Sequence, residues 1–112
     1  MNIFCHHLYE YKKGLRRLIL HTMDVKYKEG IENKLKANQI DYIMVPLGNS
    51  KMNLFFGQKQ CLDTLRCFHT LDLNELTHEQ DFILGTMLGY DLTLQCERYL
   101  KRLKKEKMRK VC

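Results

Sequence analysis

Apolar side chains recur along this chain in two alternating rhythms, one helical and one extended. Ile3, Phe4, Leu8 and Tyr11 fall close to helical spacing and predict a short amphipathic helix over residues 3–13, closed by Gly14; the short length also leaves a strand open. Arg16 to Thr22 is a compact aliphatic run that reads as a first strand. Asp24 can then cap a helix from Val25 to Ala37, with Tyr27, Ile31 and Leu35 on one stripe and Lys28, Glu32 and Lys36 spaced for ion pairs outside. Gly30 inside that helix costs about 1 kcal/mol relative to alanine, and Asn38 supplies a stop.

Two further apolar runs follow, Asp41 to Pro46 and Lys51 to Phe56, joined by Leu47-Gly48-Asn49-Ser50, the residue types a chain reversal needs. They predict a hairpin, and Pro46, the only proline, suits a strand end because it cannot donate to a ladder. Gly57 ends the second strand. Gln58 to Phe68 then turns helical, with Leu62, Leu65 and either Cys61 or Phe68 facing inward. Thr77-His78-Glu79-Gln80 has the capping-box form and starts a helix that reaches Leu88. Gly89 reads as its left-handed terminator, and Asp91 as the cap of a last helix from Leu92 to about Lys107.

The predicted order is therefore αβαββααα, an α+β fold with two layers. Its small sheet would be mixed, with the first two strands parallel through a right-handed crossover and the hairpin antiparallel, packed with about five helices. Ile43 and Val45 oppose Tyr42 and Met44, and Phe55 opposes Leu54 and Phe56, so the strands are apolar on both faces. Helices must cover both faces or a second subunit must, which makes a homodimer an expectation.

Composition narrows the class. A chain of 112 residues with 45% hydrophobic and 29% charged side chains fits one ordinary globular domain, residues 1–112. No run of 18 apolar residues is present, so no membrane span is expected. The opening residues lack the pattern of a secretory signal, and Cys5, Cys61, Cys67, Cys96 and Cys112 are an odd, irregular set; both point to the cytoplasm and to reduced thiols. The net charge of +6 is unevenly placed. Residues 1–96 carry 11 basic and 11 acidic side chains, whereas residues 97–112 carry eight basic against two acidic. The charge therefore belongs to a basic C-terminal segment, 101–112, with Lys101, Arg102, Lys104 and Lys105 as its patch.

Few constellations suggest chemistry. Cys5-His6-His7 contains metal-ligand types, but neighbours on a helix diverge by about 100° and no zinc spacing follows, even with Cys61, Cys67 and His69; no metal is assigned. The plain alternative is a helix with Cys5 or His6 partly buried and His7 exposed. No phosphate-binding glycine loop occurs, and no cofactor is implied. Phe82 to Tyr99 is the densest stretch. Gly85 and Gly89 suit a close helix contact and a helix stop, and Tyr90 and Asp91 the corner between two helices. Gln95, Cys96, Arg98 and Tyr99 remain as interface candidates. Cys96 would need a nearby base, His78 or His21, to act as a nucleophile.

Four segments carry a family resemblance: HHLYEYKKGLR at 6–16, KANQIDYIMVPLG at 36–48, KMNLFFG at 51–57 and LTHEQDFILGTMLGYDLTLQCERYL at 76–100. Together they resemble the bacterial "domain of unknown function" family numbered two thousand and twenty-three, over nearly the whole chain apart from the lysine-rich tail. The resemblance implies three strands, five helices, a homodimer, no established activity and an association with flavodoxin neighbours. The functional expectation is a non-catalytic, cytoplasmic accessory protein whose basic helix, around Arg98, Lys101, Arg102 and Lys105, meets an acidic partner such as flavodoxin. Two alternatives stand beside it: a thiol-dependent enzyme or redox protein built on Cys96, and non-specific nucleic-acid binding by the basic C-terminus. The absence of aromatics among the lysines weighs against stacking on single strands.

Overall fold

The computed structural model describes residues 2–111, without the side chains of Lys110 and Val111. Its elements are α1 (Asn2–Lys12), β1 (Leu18–Asp24), a 3-10 turn (Val25–Tyr27), α2 (Lys28–Ala37), β2 (Asp41–Leu47), β3 (Lys51–Gly57), α3 (Lys59–Arg66), α4 (His78–Met87) and α5 (Leu92–Val111). They divide into two compact units, residues 1–67 and residues 68–112. Among the described residues no helix is long and apolar enough to cross a membrane.

In the first unit the segment predicted over 3–13 is a helix, Asn2–Lys12, as its Phe4 and Leu8 stripe predicts, and both side chains are buried. The Asp24 cap forms, with Lys26 N–H donating to Oδ1 at 3.0 Å, but the first turn behind it is 3-10 and the α-helix proper begins at Lys28. Ile31 and Leu35 are the buried positions of α2. Leu62 and Leu65 are those of α3.

The sheet overturns one expectation. Its order is β1-β3-β2 and both ladders are antiparallel, so there is no parallel crossover pair. β3 is the strand whose side chains from Met52 to Phe56 are all buried, on both faces. A strand with no face to spare for solvent belongs in the centre of a sheet. It therefore lies between β1 and β2, which point the same way without touching as a pair. Pro46 lies near the end of the outer strand β2, where its missing N–H breaks no ladder.

The register sorts the two faces. Ile19, His21 and Met23 lie beside Phe56, Leu54 and Met52, and these beside Tyr42 and Met44. This face meets Phe4 and Leu8 of α1 and Ile31 and Leu35 of α2 in one core. The opposite face carries Leu20, Thr22, Phe55, Asn53, Ile43 and Val45. Asn53 is buried there, and its Oδ1 accepts from Thr22 Oγ1 at 2.7 Å. α3 packs against β2 and β3, and Arg66 from its last turn makes a two-pronged bond to Asp41 at 2.8 Å through each nitrogen. That guanidinium holds the Asp41 carboxyl below the usual carboxylate range. Gly57 permits the start of β1 to pass close: a Cβ there would strike the Arg17 carbonyl.

Where α1 crosses β1, two histidines meet. The His7 ring stands edge-on to that of His21 at 5.4 Å, and Phe4 packs on His21 and Phe56. Cys5 and His6 are exposed and His7 is half-buried, the reverse of the expected phase, because His7 lies next to Leu8 and a turn after Phe4 on the inward stripe. Among the described residues no group of three or more metal-ligand side chains is arranged to hold an ion. Burial first, then the Arg16 guanidinium, lowers the His7 pKa against the opposing pull of Glu10. Burial first, then His7, lowers that of His21.

Two outcomes follow for stability. A histidine whose folded-state pKa is depressed takes up its proton more readily when unfolded, so folding is weakened as pH falls below the ordinary histidine value of 6.5. Urea melts between pH 8 and pH 5 should show stability falling through that window, with a flatter slope in the His7→Gln/His21→Gln variant; identical slopes would rule the pair out as the cause. Separately, a Cβ at Gly30, in the first turn of α2 behind the 3-10 turn, meets nothing within 4 Å. Gly30→Ala should therefore stabilise the protein by about 0.5–1 kcal/mol in the same assay.

Candidate functional site

The second unit is built on α4 and α5, and its termini follow from side-chain chemistry. Thr77 Oγ1 accepts from Gln80 N–H at 3.0 Å, and Gln80 Oε1 accepts from Thr77 N–H at 3.2 Å, which completes the capping box. At the other end Gly89 takes a positive φ of 85°. This lets Gly89 and Tyr90 donate back to Thr86 and Gly85, each at 3.1 Å. Asp91 Oδ2 then accepts from Leu94 N–H at 2.9 Å and starts α5. The corner residues Gly89, Tyr90 and Asp91 thus act as the sequence predicts.

The two helices are joined by polar contacts across the corner. Arg98 donates through Nε and Nη2 to the two oxygens of Asp81, at 2.9 and 3.1 Å, and Arg102 Nη1 reaches the same carboxylate at 3.0 Å. The hydrogen bond from Arg98, more than the charges, holds the Asp81 carboxyl below its usual range. Its contribution to stability is thus present above the ordinary carboxylate range and lost as acid protonates it. Tyr99 donates its hydroxyl to Glu79 Oε2 at 2.8 Å, which raises the Tyr99 pKa and lowers that of Glu79. Phe82 packs on the Tyr99 ring at 5.8 Å, and His78 Nε2 lies 2.8 Å from Glu106 Oε2.

These contacts reassign several candidates. Gly85 and Gln95 do meet, but through a side chain: the Gln95 amide occupies the space that a Cβ at Gly85 would fill. Arg98 and Tyr99 are held by α4 partners, Asp81 and Glu79, which the sequence reading missed. Both acids lie in the first turn of α4, about as far before the Gly89 corner as Arg98 and Tyr99 lie after it, and that symmetry was the available signal. Of the basic patch, Arg102 is engaged by Asp81, whereas among the described residues no carboxylate pairs with Lys101, Lys104 or Lys105. All three lysines are exposed.

Two hollows open on this unit. One, of about 380 Å³, is an apolar groove lined by Glu79, Phe82, Ile83, Cys96, Tyr99 and Leu100. Cys96 is partly buried in it, beside rings and aliphatic groups rather than a base, since the one acid present is bonded to Tyr99. The other, of about 410 Å³, is lined by His78, Arg102, Lys105, Glu106 and Arg109. His78 Nε2 is here tied to Glu106, while its buried Nδ1 has no hydrogen-bond partner among the described residues; His78 does not line the groove that holds Cys96.

The Gly85 notch predicts a non-additive pair. Gly85→Ala alone should gain little stability or lose some, because it displaces the Gln95 amide; in a Gln95→Ala background the same change should gain about 0.5–1 kcal/mol from helix propensity. Denaturant midpoints of the four proteins in this cycle decide it. Additive effects would mean that Gln95 does not fill the notch.

Comparison with known proteins agrees with this architecture. Residues 2–102 match the model of a family described as "Protein of unknown function (DUF2023)". No curated protein matches the chain. With three strands, five helices and a match over most of its length, the chain belongs to that family of unknown function.

Proposed function

We propose that this protein is a non-catalytic, cytoplasmic accessory protein that docks an acidic protein partner through the lysine face of α5. The observation that carries the reading is the division of labour among the cations of that helix. Arg98 and Arg102 are taken up by Asp81, while Lys101, Lys104 and Lys105 project from one side with no carboxylate partner among the described residues. Lysines near the end of a helix favour its negative pole, but that role needs one or two charges, not eight basic side chains within residues 97–112. A concentrated, unneutralised stripe speeds encounter with an acidic surface and is screened by salt.

The family resemblance associates such proteins with flavodoxin, and flavodoxins are acidic, which makes flavodoxin the partner to try. The apolar groove with exposed Leu100 and Ile83 at its rim supports self-association, in keeping with a homodimer. Against a thiol enzyme, Cys96 lies in a groove of rings and aliphatic groups whose only acid among the described residues, Glu79, is bonded to Tyr99. The free thiols Cys5, Cys61, Cys67 and Cys96 accord with a reducing compartment.

Titration with a purified flavodoxin at low ionic strength should give saturable binding that weakens steeply as salt is added. Reversing the stripe with Lys101→Glu, Lys104→Glu and Lys105→Glu together should weaken it by about tenfold or more. The absence of saturable binding at low salt ends the flavodoxin assignment, and an unchanged affinity in the triple variant moves the contact off α5.

A further inference from the structure

We propose that the hollow formed by His78, Arg102, Lys105, Glu106 and Arg109 is a binding site for the phosphate group of a small phosphate monoester. The proposal shares Lys105 with the docking stripe but neither its partner nor its other residues. Arg102, Lys105 and Arg109 follow each other at intervals of three and four, so α5 turns all three towards one side. His78, from the first turn of α4, stands on the opposite wall.

The charge in this hollow is unbalanced. Arg102 commits one nitrogen, Nη1, to Asp81 at 3.0 Å, and no carboxylate among the described residues pairs with Lys105 or Arg109. The acid of the wall, Glu106, lies on His78 at 2.8 Å. With Arg102 shared with Asp81 and Glu106 lying on His78, Lys105 and Arg109 leave an excess of positive charge around an open space. Side chains crowded at this spacing repel one another unless an anion lies between them.

The donor types select the anion. Two guanidinium groups present planar forks suited to paired oxygens, and Lys105 adds a compact charge on a flexible stem. Three cationic arms match the three terminal oxygens of a phosphate monoester better than the two of a carboxylate. Size points to an ester rather than a bare ion. At about 410 Å³ the hollow has the volume of a small-molecule pocket, well beyond what one phosphate fills. The methylene stems of the lysine and arginines supply an apolar wall for the organic part.

The test uses the full chain in a chloride buffer of low ionic strength, titrated by calorimetry with inorganic phosphate and separately with glycerol 3-phosphate. Saturable one-to-one binding of both is expected, with amide shift changes centred on His78, Lys105 and Arg109. Arg109→Gln and Lys105→Gln should each weaken binding by about tenfold. Lys101→Gln/Lys104→Gln, on the same helix but outside the hollow, should alter it by less than about twofold. No saturable binding of either probe overturns the site. Equal weakening by the Lys101/Lys104 pair reduces it to general attraction by α5, and binding of phosphate without glycerol 3-phosphate removes the ester from the assignment. The docking reading fails separately, since it predicts flavodoxin binding whether or not phosphate is held.

Discussion

β3 has to be buried on both faces, and the arrangement of the first unit follows from that need. Leu54 and Phe56 point to one side and Phe55 to the other, all fully buried, so neither face of the strand can be left to water. Placing β3 between β1 and β2 shields its backbone and brings Phe56 against Phe4 of α1. The core of α1 and α2 then assembles on the Leu54 side, and α3 packs against the β2–β3 ladder with Arg66 bonded to Asp41. Asn53, the buried polar side chain of this sheet among the described residues, is tolerated because Thr22 on the neighbouring strand donates to it.

In the second unit an electrostatic constraint takes over. Asp81 gathers Arg98 and Arg102, Glu79 takes the Tyr99 hydroxyl, and Glu106 meets His78, so that polar side chains from the two helices tie the hairpin across its length. Exposed pairs of this kind are each worth little, about 0–1 kcal/mol, but they fix which cations remain available. The functional reading rests on that remainder. Arg98 and Arg102 tie α5 to Asp81, and Lys101, Lys104 and Lys105 are left without a carboxylate partner among the described residues.

The capping signals transferred almost unchanged from sequence to structure because they are local. Thr77 and Gln80, Gly89 and Asp91 each act within four residues of themselves, and each does what its position predicts. The candidate site was less legible. Gly85 reads as a place for close helix packing, yet its neighbour is the Gln95 amide, a fact of register between two helices. The inward turn of His7 was likewise hidden, because a short helix with few apolar residues leaves its phase open by one position.

The sequence by itself determined where elements start and stop, which side chains are apolar enough to be buried, and that the positive charge lies at the C-terminal end. These depend on spacing, backbone preference and composition, which are properties of neighbouring residues. That β3 lies between β1 and β2, that Asp81 binds Arg98 and one nitrogen of Arg102, and that Arg102, Lys105 and Arg109 share a hollow with His78 are facts of the tertiary structure. Strand order and inter-helix pairing are choices among partners distant in the chain. They are settled by which arrangement buries the most apolar surface and satisfies the most polar groups at once, and no local pattern encodes that sum.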